Sequence, residues 1–266
     1  MAATATKSYA VVTGASSGIG YELAAQFAGH GFDVLVVAED TGIGDAAQRL
    51  RANGSEVESL QADLATFEGV EKLCDKLRAS GRTLDAVAIN AGVGVWGPFA
   101  ETELKAHLNL INLNVVSAVH LTHRLLREML PRREGRILFT SSIAATAPGP
   151  YMSTYNASKA FLKSFAEALR EELKDTGITV TALMPGPTDT NFFGRAHMED
   201  TKLGQGKKDD PAEVAKEGFE ALMAGQDHVV AGSFKNKIQA TASHVLPDTV
   251  TAAMHRKESE PGSGKE

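Results

Sequence analysis

Thr13-Gly14-Ala15-Ser16-Ser17-Gly18-Ile19-Gly20 follows a short apolar run, Tyr9–Thr13, and opens an amphipathic stretch over Gly18–His30. A glycine-rich turn between a strand and a helix has a specific physical use. Gly14 permits the tight turn, Gly18 lets backbone approach a pyrophosphate, and Gly20 lets the helix lie against the sheet. The unpaired N–H groups of the helix N-terminus then face the anion. The stretch predicts a dinucleotide-binding βα unit, with Gly14, Ser16, Ser17, Gly18, Ile19 and Gly20 against the cofactor.

Outward from that turn, β-branched runs alternate with helical periodicity. The strand runs are Tyr9–Thr13, Asp33–Val37, Glu56–Gln61, Leu84–Asn90, Arg136–Ser141, Thr179–Met184 and His228–Ala231. Helices are predicted over Gly18–His30, Gly44–Asn53, Phe67–Ser80, Glu103–Leu130, Ser153–Thr176 and Pro211–Ala224. Such alternation reads as an α/β, Rossmann-type, doubly wound parallel sheet of seven strands with helices on both faces. The 266 residues suffice for one large core, and a single domain is expected over 1–257. The glycine- and charge-rich stretch 191–210 reads as a mobile substrate loop with room for a short helix. Residues 258–266, with Pro261, Gly262, Ser263 and Gly264, read as a disordered tail.

Composition removes several function classes. A net charge of −6 and a pI near 5.8 leave no basic face for nucleic acid or an anionic membrane. One cysteine, Cys74, rules out an internal disulfide, so a reducing compartment is expected. Nothing at Met1–Ser8 has signal-peptide character and no run is long enough to span a bilayer, which together predict a cytoplasmic protein. The eight histidines are scattered, His120 and His123 being the one close pair without a completing carboxylate set, and no metal is expected.

The spacing of the glycine turn, with three residues between Gly14 and Gly18, resembles the short-chain dehydrogenase/reductase family. Further matching points follow in order: Asp63-Leu64, Asn90-Ala91-Gly92, Asn114, Ser142, Tyr155-Asn156-Ala157-Ser158-Lys159, and Pro185-Gly186-Pro187-Thr188-Asp189-Thr190. The resemblance spans about 8 to 190 and implies Asn114, Ser142, Tyr155 and Lys159 as catalytic residues. It also implies cofactor contacts from Asp63, Leu64, Asn90, Ala91, Gly92, Tyr155, Lys159, Pro185 and Gly186. Thr188 and Thr190 are expected to meet the nicotinamide carboxamide, although the family commonly has an aliphatic residue at the Thr188 position. The matching asparagine interrupts its helix and holds a water that connects the lysine to solvent; Asn112 is the alternative register.

The catalytic reading also stands on chemistry. A phenol titrating near 10 is a poor base at neutral pH and needs a nearby cation. Lys159, one helical turn from Tyr155, supplies it. Tyr151 is a rival phenol, but the residue four positions on is Tyr155 and not a lysine. Ser142 ends a strand facing the cofactor crevice, where its hydroxyl can orient a substrate oxygen; Ser141 points the other way. The expected reaction is hydride transfer between a nicotinamide and a secondary alcohol or ketone. The competing class is a binding protein that senses NAD(H) without chemistry.

Glu39, at the end of the second strand, is placed to accept hydrogen bonds from the adenosine ribose and to repel a 2′-phosphate, which favours NAD over NADP. Asp40 is its alternative. Val93, Val95, Trp96, Tyr151, Met184, Phe192 and Phe193, with Ser142, are candidate substrate walls and point to a hydrophobic or aromatic substrate. Apolar residues on two long helices, Leu121, Leu125 and Leu126 on one and Phe161, Phe165 and Leu169 on the other, predict a homodimer or homotetramer, since resembling proteins pair these helices.

Overall fold

The structure is a computed structural model and describes residues 7–52, 54–243 and 246–265. The expected leaderless start at 1–6, the helix end at Asn53 and the last tail residue, Glu266, lie outside these. Strands β1 (Tyr9–Thr13), β2 (Asp33–Ala38), β3 (Val57–Gln61), β4 (Ala86–Ile89), β5 (Gly135–Thr140), β6 (Ile178–Pro185) and β7 (His228–Ala231) form one sheet in the order β3-β2-β1-β4-β5-β6-β7. Every pairing is parallel, with Val11 opposite Leu35 on one side and Val87 on the other.

Parallel strands buried on both faces need apolar residues at every position. β1, β2 and β4 supply them, and every residue of each is buried. Alternate side chains divide between two cores. Val11, Leu35, Val37 and Val87 pack against α3 (Phe67–Ser80), α5 (Ser117–Met129) and α6 (Ser153–Leu173). Ala10, Val12, Val34 and Val36 pack against α1 (Gly18–Gly29), α2 (Ile43–Arg51) and α9 (Pro211–Met223). The chain winds outward from β1 through β2 and β3, then returns to start β4 on β1's other side. A crevice opens at the strands' carboxyl ends where that reversal occurs.

The long helix expected over Glu103–Leu130 is two helices. α4 (Leu104–Ile111) and α5 are joined by a π turn, Asn112–Val116, in which Asn114 is buried while Asn112 is exposed. Residues 191–210 carry two short helices, α7 (Phe192–Arg195) and α8 (Lys202–Gln205). Two more, α10 (Phe234–Ser243) and α11 (Asp248–Ser259), had no expected counterpart.

Two expectations are corrected. Residues 258–265 are not a disordered tail: Ser259 is buried, Trp96 Nε1 donates to its carbonyl at 2.7 Å, and Gly264 N donates to Asp200 O at 2.9 Å. The Pro261-Gly262 pair turns the chain back onto the body, with Gly262 at φ 75°, where the sequence suggested it would leave the fold. Leu121, Leu125 and Leu169 are not spare apolar surface, because all three lie in the core. The exposed apolar residues of those helices are Leu104, Leu108, Ile111, Val116, Val119 and Phe161.

Phe27 of α1 is fully buried and meets Phe32 and Phe219 edge-on, at ring distances of 5.2 and 5.1 Å. Phe27→Ala leaves a cavity between α1 and α9 and is expected to cost about 3–5 kcal/mol. Urea denaturation should show a lowered midpoint with an unchanged slope.

Candidate active site

The glycine turn is held by backbone. Gly14 N donates to Val37 O at 2.8 Å, and Gly14 and Gly18 adopt φ of 67° and 58°. A Cβ on Gly20 would lie 2.1 Å from Gly14 O, so only glycine lets α1 start this close to the turn. Ser17 caps α1 in an extended conformation without a side-chain hydrogen bond, leaving the first N–H groups of the helix to an outside acceptor.

A cleft of about 480 Å³ runs from this turn along the carboxyl ends of the strands. Gly14, Ser16, Ser17, Gly18, Ile19 and Gly20 line it, and Glu39, Asp63 and Leu64 do so after β2 and β3. Asn90, Ala91 and Gly92 follow β4, and Pro185, Gly186, Thr188 and Thr190 follow β6. Asn114 lies beneath: its Oδ1 accepts from Val93 N at 3.0 Å, and its Nδ2 donates to Val93 O and Ser158 Oγ, each at 3.0 Å. A Cβ on Gly92 would crowd Asn114 Oδ1 and Lys159 Nζ, at 3.1 and 3.4 Å, so these groups converge at one point.

Ser142, Tyr155 and Lys159 share the floor of the cleft. Ser142 Oγ donates to Pro185 O at 3.3 Å, whereas Ser141 Oγ turns inward to Lys159 O at 2.8 Å, as strand alternation requires. Lys159 Nζ donates to Thr140 O at 2.8 Å and sits 5.7 Å from the centre of the Tyr155 ring. The expected lowering of the phenol does not emerge from these groups. Burial pushes Tyr155 up to about 12, and a hydrogen bond from Ser142 pulls the other way. Burial also brings Lys159 down to about 8.

The residues fit a nicotinamide dinucleotide. The two glycine approaches form a cradle that a Cβ would fill, α1 presents an uncapped N-terminus, and a buried ammonium lies farther along the same cleft. Among the described residues no cluster suits a metal ion, and no helix is long and apolar enough to cross a membrane.

The substrate walls are partly redrawn. Val93, Phe192 and Phe193 line the cleft, with the Phe192 ring 5.1 Å from that of Tyr155. Trp96 and Tyr151 do not. Trp96 donates to the Ser259 carbonyl, and the Tyr151 hydroxyl donates to Glu260 at 3.1 Å, so both hold the C-terminal end of α11. Met184 is buried within β6, and Val95 packs beneath the Phe193 cluster. Sequence reasoning missed Met152, Leu203, Arg195, His255 and Glu258, which also line the cleft. Arg195 Nη2 lies 3.4 Å from Ser17 Oγ, a contact between residues 178 positions apart that no local pattern signals.

The Lys159 environment sets a pH dependence of stability. Folding lowers its value to about 8 from the ordinary 10.5, so in that interval the unfolded chain binds more protons and this residue's contribution rises with pH. Below about pH 8 the burial cost is present in full. The stability of the native chain minus that of Lys159→Met, from urea melts, should therefore increase between about pH 7 and pH 10; a flat difference would contradict it.

The chain has counterparts among known proteins. The family model for short chain dehydrogenases matches residues 8–200. An uncharacterised oxidoreductase of Staphylococcus saprophyticus is 32% identical over 215 residues, covering 80% of this chain and 90% of that protein. A short-chain dehydrogenase of Sphingobium yanoikuyae, solved with NADPH, superposes with a TM-score of 0.78 at 30% identity, over 84% of this chain and 87% of its own. A short-chain dehydrogenase/reductase of Burkholderia phymatum, solved with NAD, gives a TM-score of 0.81 over 96% and 97% of the two chains; at 24% identity it speaks for the fold. The model match reaches from the glycine turn past Tyr155 and Lys159, and it joins a relative that shares most of its length with this chain: the protein belongs to the short-chain dehydrogenase family of oxidoreductases.

Proposed function

We propose that this protein interconverts a secondary alcohol and a ketone with a nicotinamide dinucleotide, Tyr155 being the acid/base. The observation that carries this reading is the placement of three groups. Tyr155, Lys159 and Ser142 are all buried on the floor of one cleft whose other end is the glycine cradle. Bound there, the oxidised nicotinamide would accept the hydride and add a positive charge beside the phenol.

The chain's own residues do the rest. Ser142 donates to the substrate oxygen and orients it while Tyr155 takes the hydroxyl proton. Lys159 holds its ammonium between Thr140 and the cleft, where it binds ribose hydroxyls and steadies the phenolate as it forms. Asn114 keeps the loop at Val93 and the helix at Ser158 in register, and the π turn beside it offers a route for a proton relay to solvent. Gly92 leaves room for Asn114 and Lys159 and Gly186 for Asn236, and Thr188 and Thr190, which line the cleft, would receive the carboxamide.

For the cofactor we favour NAD. Glu39 is exposed at the end of β2 and lines the cleft, free to accept from ribose hydroxyls and to repel a 2′-phosphate. Asp40 is less suited, since its carboxylate is taken by Ser16 at 2.7 Å and Gly42 N at 3.0 Å. Arg49 stacks over Tyr21, away from the ribose end. The substrate is a small molecule whose reacting part meets an apolar wall, Phe192, Phe193 and Val93. A homodimer or homotetramer formed through the exposed apolar face of α4, α5 and α6, in the cytoplasm, completes the reading.

Tyr155→Phe should lower turnover by about 10²–10⁴-fold, while fluorescence titration finds NADH bound as in the native protein. Native-like turnover would sink the assignment. Glu39→Ala should narrow the ratio of kcat/KM for NAD over NADP, and an unchanged ratio would move the ribose contact elsewhere.

A further inference from the structure

The helix α11 brings two polar side chains to the cleft. His255 and Glu258 lie three positions apart, which puts them on one face of the helix, and both line the cleft. Neither side chain has a hydrogen-bond partner among the described residues, although each is half-buried. Their neighbours on the helix behave differently. Arg256 turns outward, pairing with Glu260 at 3.3 Å and lying over Tyr151, and Met254 is exposed.

α11 stands at the substrate end of the cleft. Ser259, at its end, donates to Pro150 O at 2.9 Å and accepts from Trp96, and Glu260 accepts from Tyr151. Pro150 and Tyr151 directly precede Met152, and Trp96 follows Val93 by three positions. α11 also packs against α8, whose Leu203 joins the cluster of Tyr155, Met152 and Phe193. These polar groups therefore stand across the substrate cavity, in a region that lies beyond the residues matched by the family model.

Resting on the reaction class proposed above, we infer that His255 and Glu258 form a polar subsite for a hydrogen-bond donor, a hydroxyl or an amine, at the end of the substrate remote from its carbinol carbon. The chemistry selects this class. Burial pushes the His255 imidazole below its ordinary value, with Glu258 pulling it back, so the ring is neutral at pH 7 and can accept as well as donate. A carboxylate beside it accepts only, and it repels a substrate carboxylate or phosphate. A wholly apolar substrate would strip water from both groups and return nothing. The preferred substrate is thus apolar near Phe192 and Phe193 and carries a donor at its far end.

The test is a set of ketones matched except at the far end, which bears methyl, hydroxyl, aminomethyl or carboxylate. The native holoenzyme should favour the hydroxyl and aminomethyl members over methyl by on the order of tenfold in kcat/KM, with carboxylate poorest. The double variant His255→Leu, Glu258→Leu should bring methyl and hydroxyl within about twofold, mainly through KM. Glu258→Gln, which keeps the shape and an acceptor oxygen, should keep the hydroxyl preference and lose that for aminomethyl. Retained NADH affinity by fluorescence shows that each variant still folds. A native preference for methyl, or a hydroxyl preference that survives the double variant, would overturn the subsite and leave the reaction class standing. Failure of every member with a native protein that binds cofactor would instead defeat the reaction class, and the subsite with it.

Discussion

Three strand ends are tied together by one side chain. Asn90 takes a hydrogen bond from Thr140 Oγ1 at 3.0 Å, gives its Nδ2 to Thr13 O at 3.1 Å, and donates its backbone N–H to Thr13 Oγ1 at 3.0 Å. The residues joined are the ends of β1 and β5 and the residue just past β4, on either side of the point where the strand order reverses. Its Nδ2 also reaches Gly14 O at 3.4 Å, and Thr140 O accepts from Lys159. A single network therefore runs from the glycine turn to the buried ammonium. Distances between the two ends of the cleft are set by bonds rather than by packing alone, which is what a reaction between two bound molecules requires.

The same compactness has an electrostatic cost. Desolvation raises Tyr155 and lowers Lys159, so each group is pushed toward its neutral form. Ser142 and the Thr140 carbonyl are the two groups that oppose this, one for each partner. A phenol near 12 stays protonated at neutral pH, with the Lys159 ammonium 5.7 Å from its ring centre as the neighbouring cation. Under the reaction proposed above, a seated dinucleotide would supply further positive charge in favour of proton transfer. In exchange, a hydrogen-bonded cluster of buried polar groups sits beside the sheet, where an apolar one would pack at lower cost.

Local patterns made the sheet, the glycine turn and the Tyr155/Lys159 pair legible, because each is written within a few residues of chain. Asn114 shows where such reading reaches its limit. A π turn shifts the register by one residue, and that shift buries Asn114 and exposes Asn112. Trp96 and Tyr151 fall outside the cleft lining for a different reason. Aromatic residues after a strand end suggest a substrate wall, yet their partners, Ser259 and Glu260, lie 163 and 109 positions away. The Pro-Gly stretch after α11 looked like a free end because its composition marks turns, and composition does not reveal what a turn folds back upon. Arg195, His255 and Glu258 enter the cleft from segments with no pattern tied to the turn or to Tyr155.

The attachment of α11 also sets an order of events during synthesis. The segments against which this helix docks, Trp96, Pro150 and α8, all leave the ribosome before it does. The dinucleotide cradle and the Tyr155 helix can therefore be complete while the far wall of the cleft is still missing. A nascent chain in that interval has its glycine cradle formed while the cleft is still open to water on the side where His255 and Glu258 will stand.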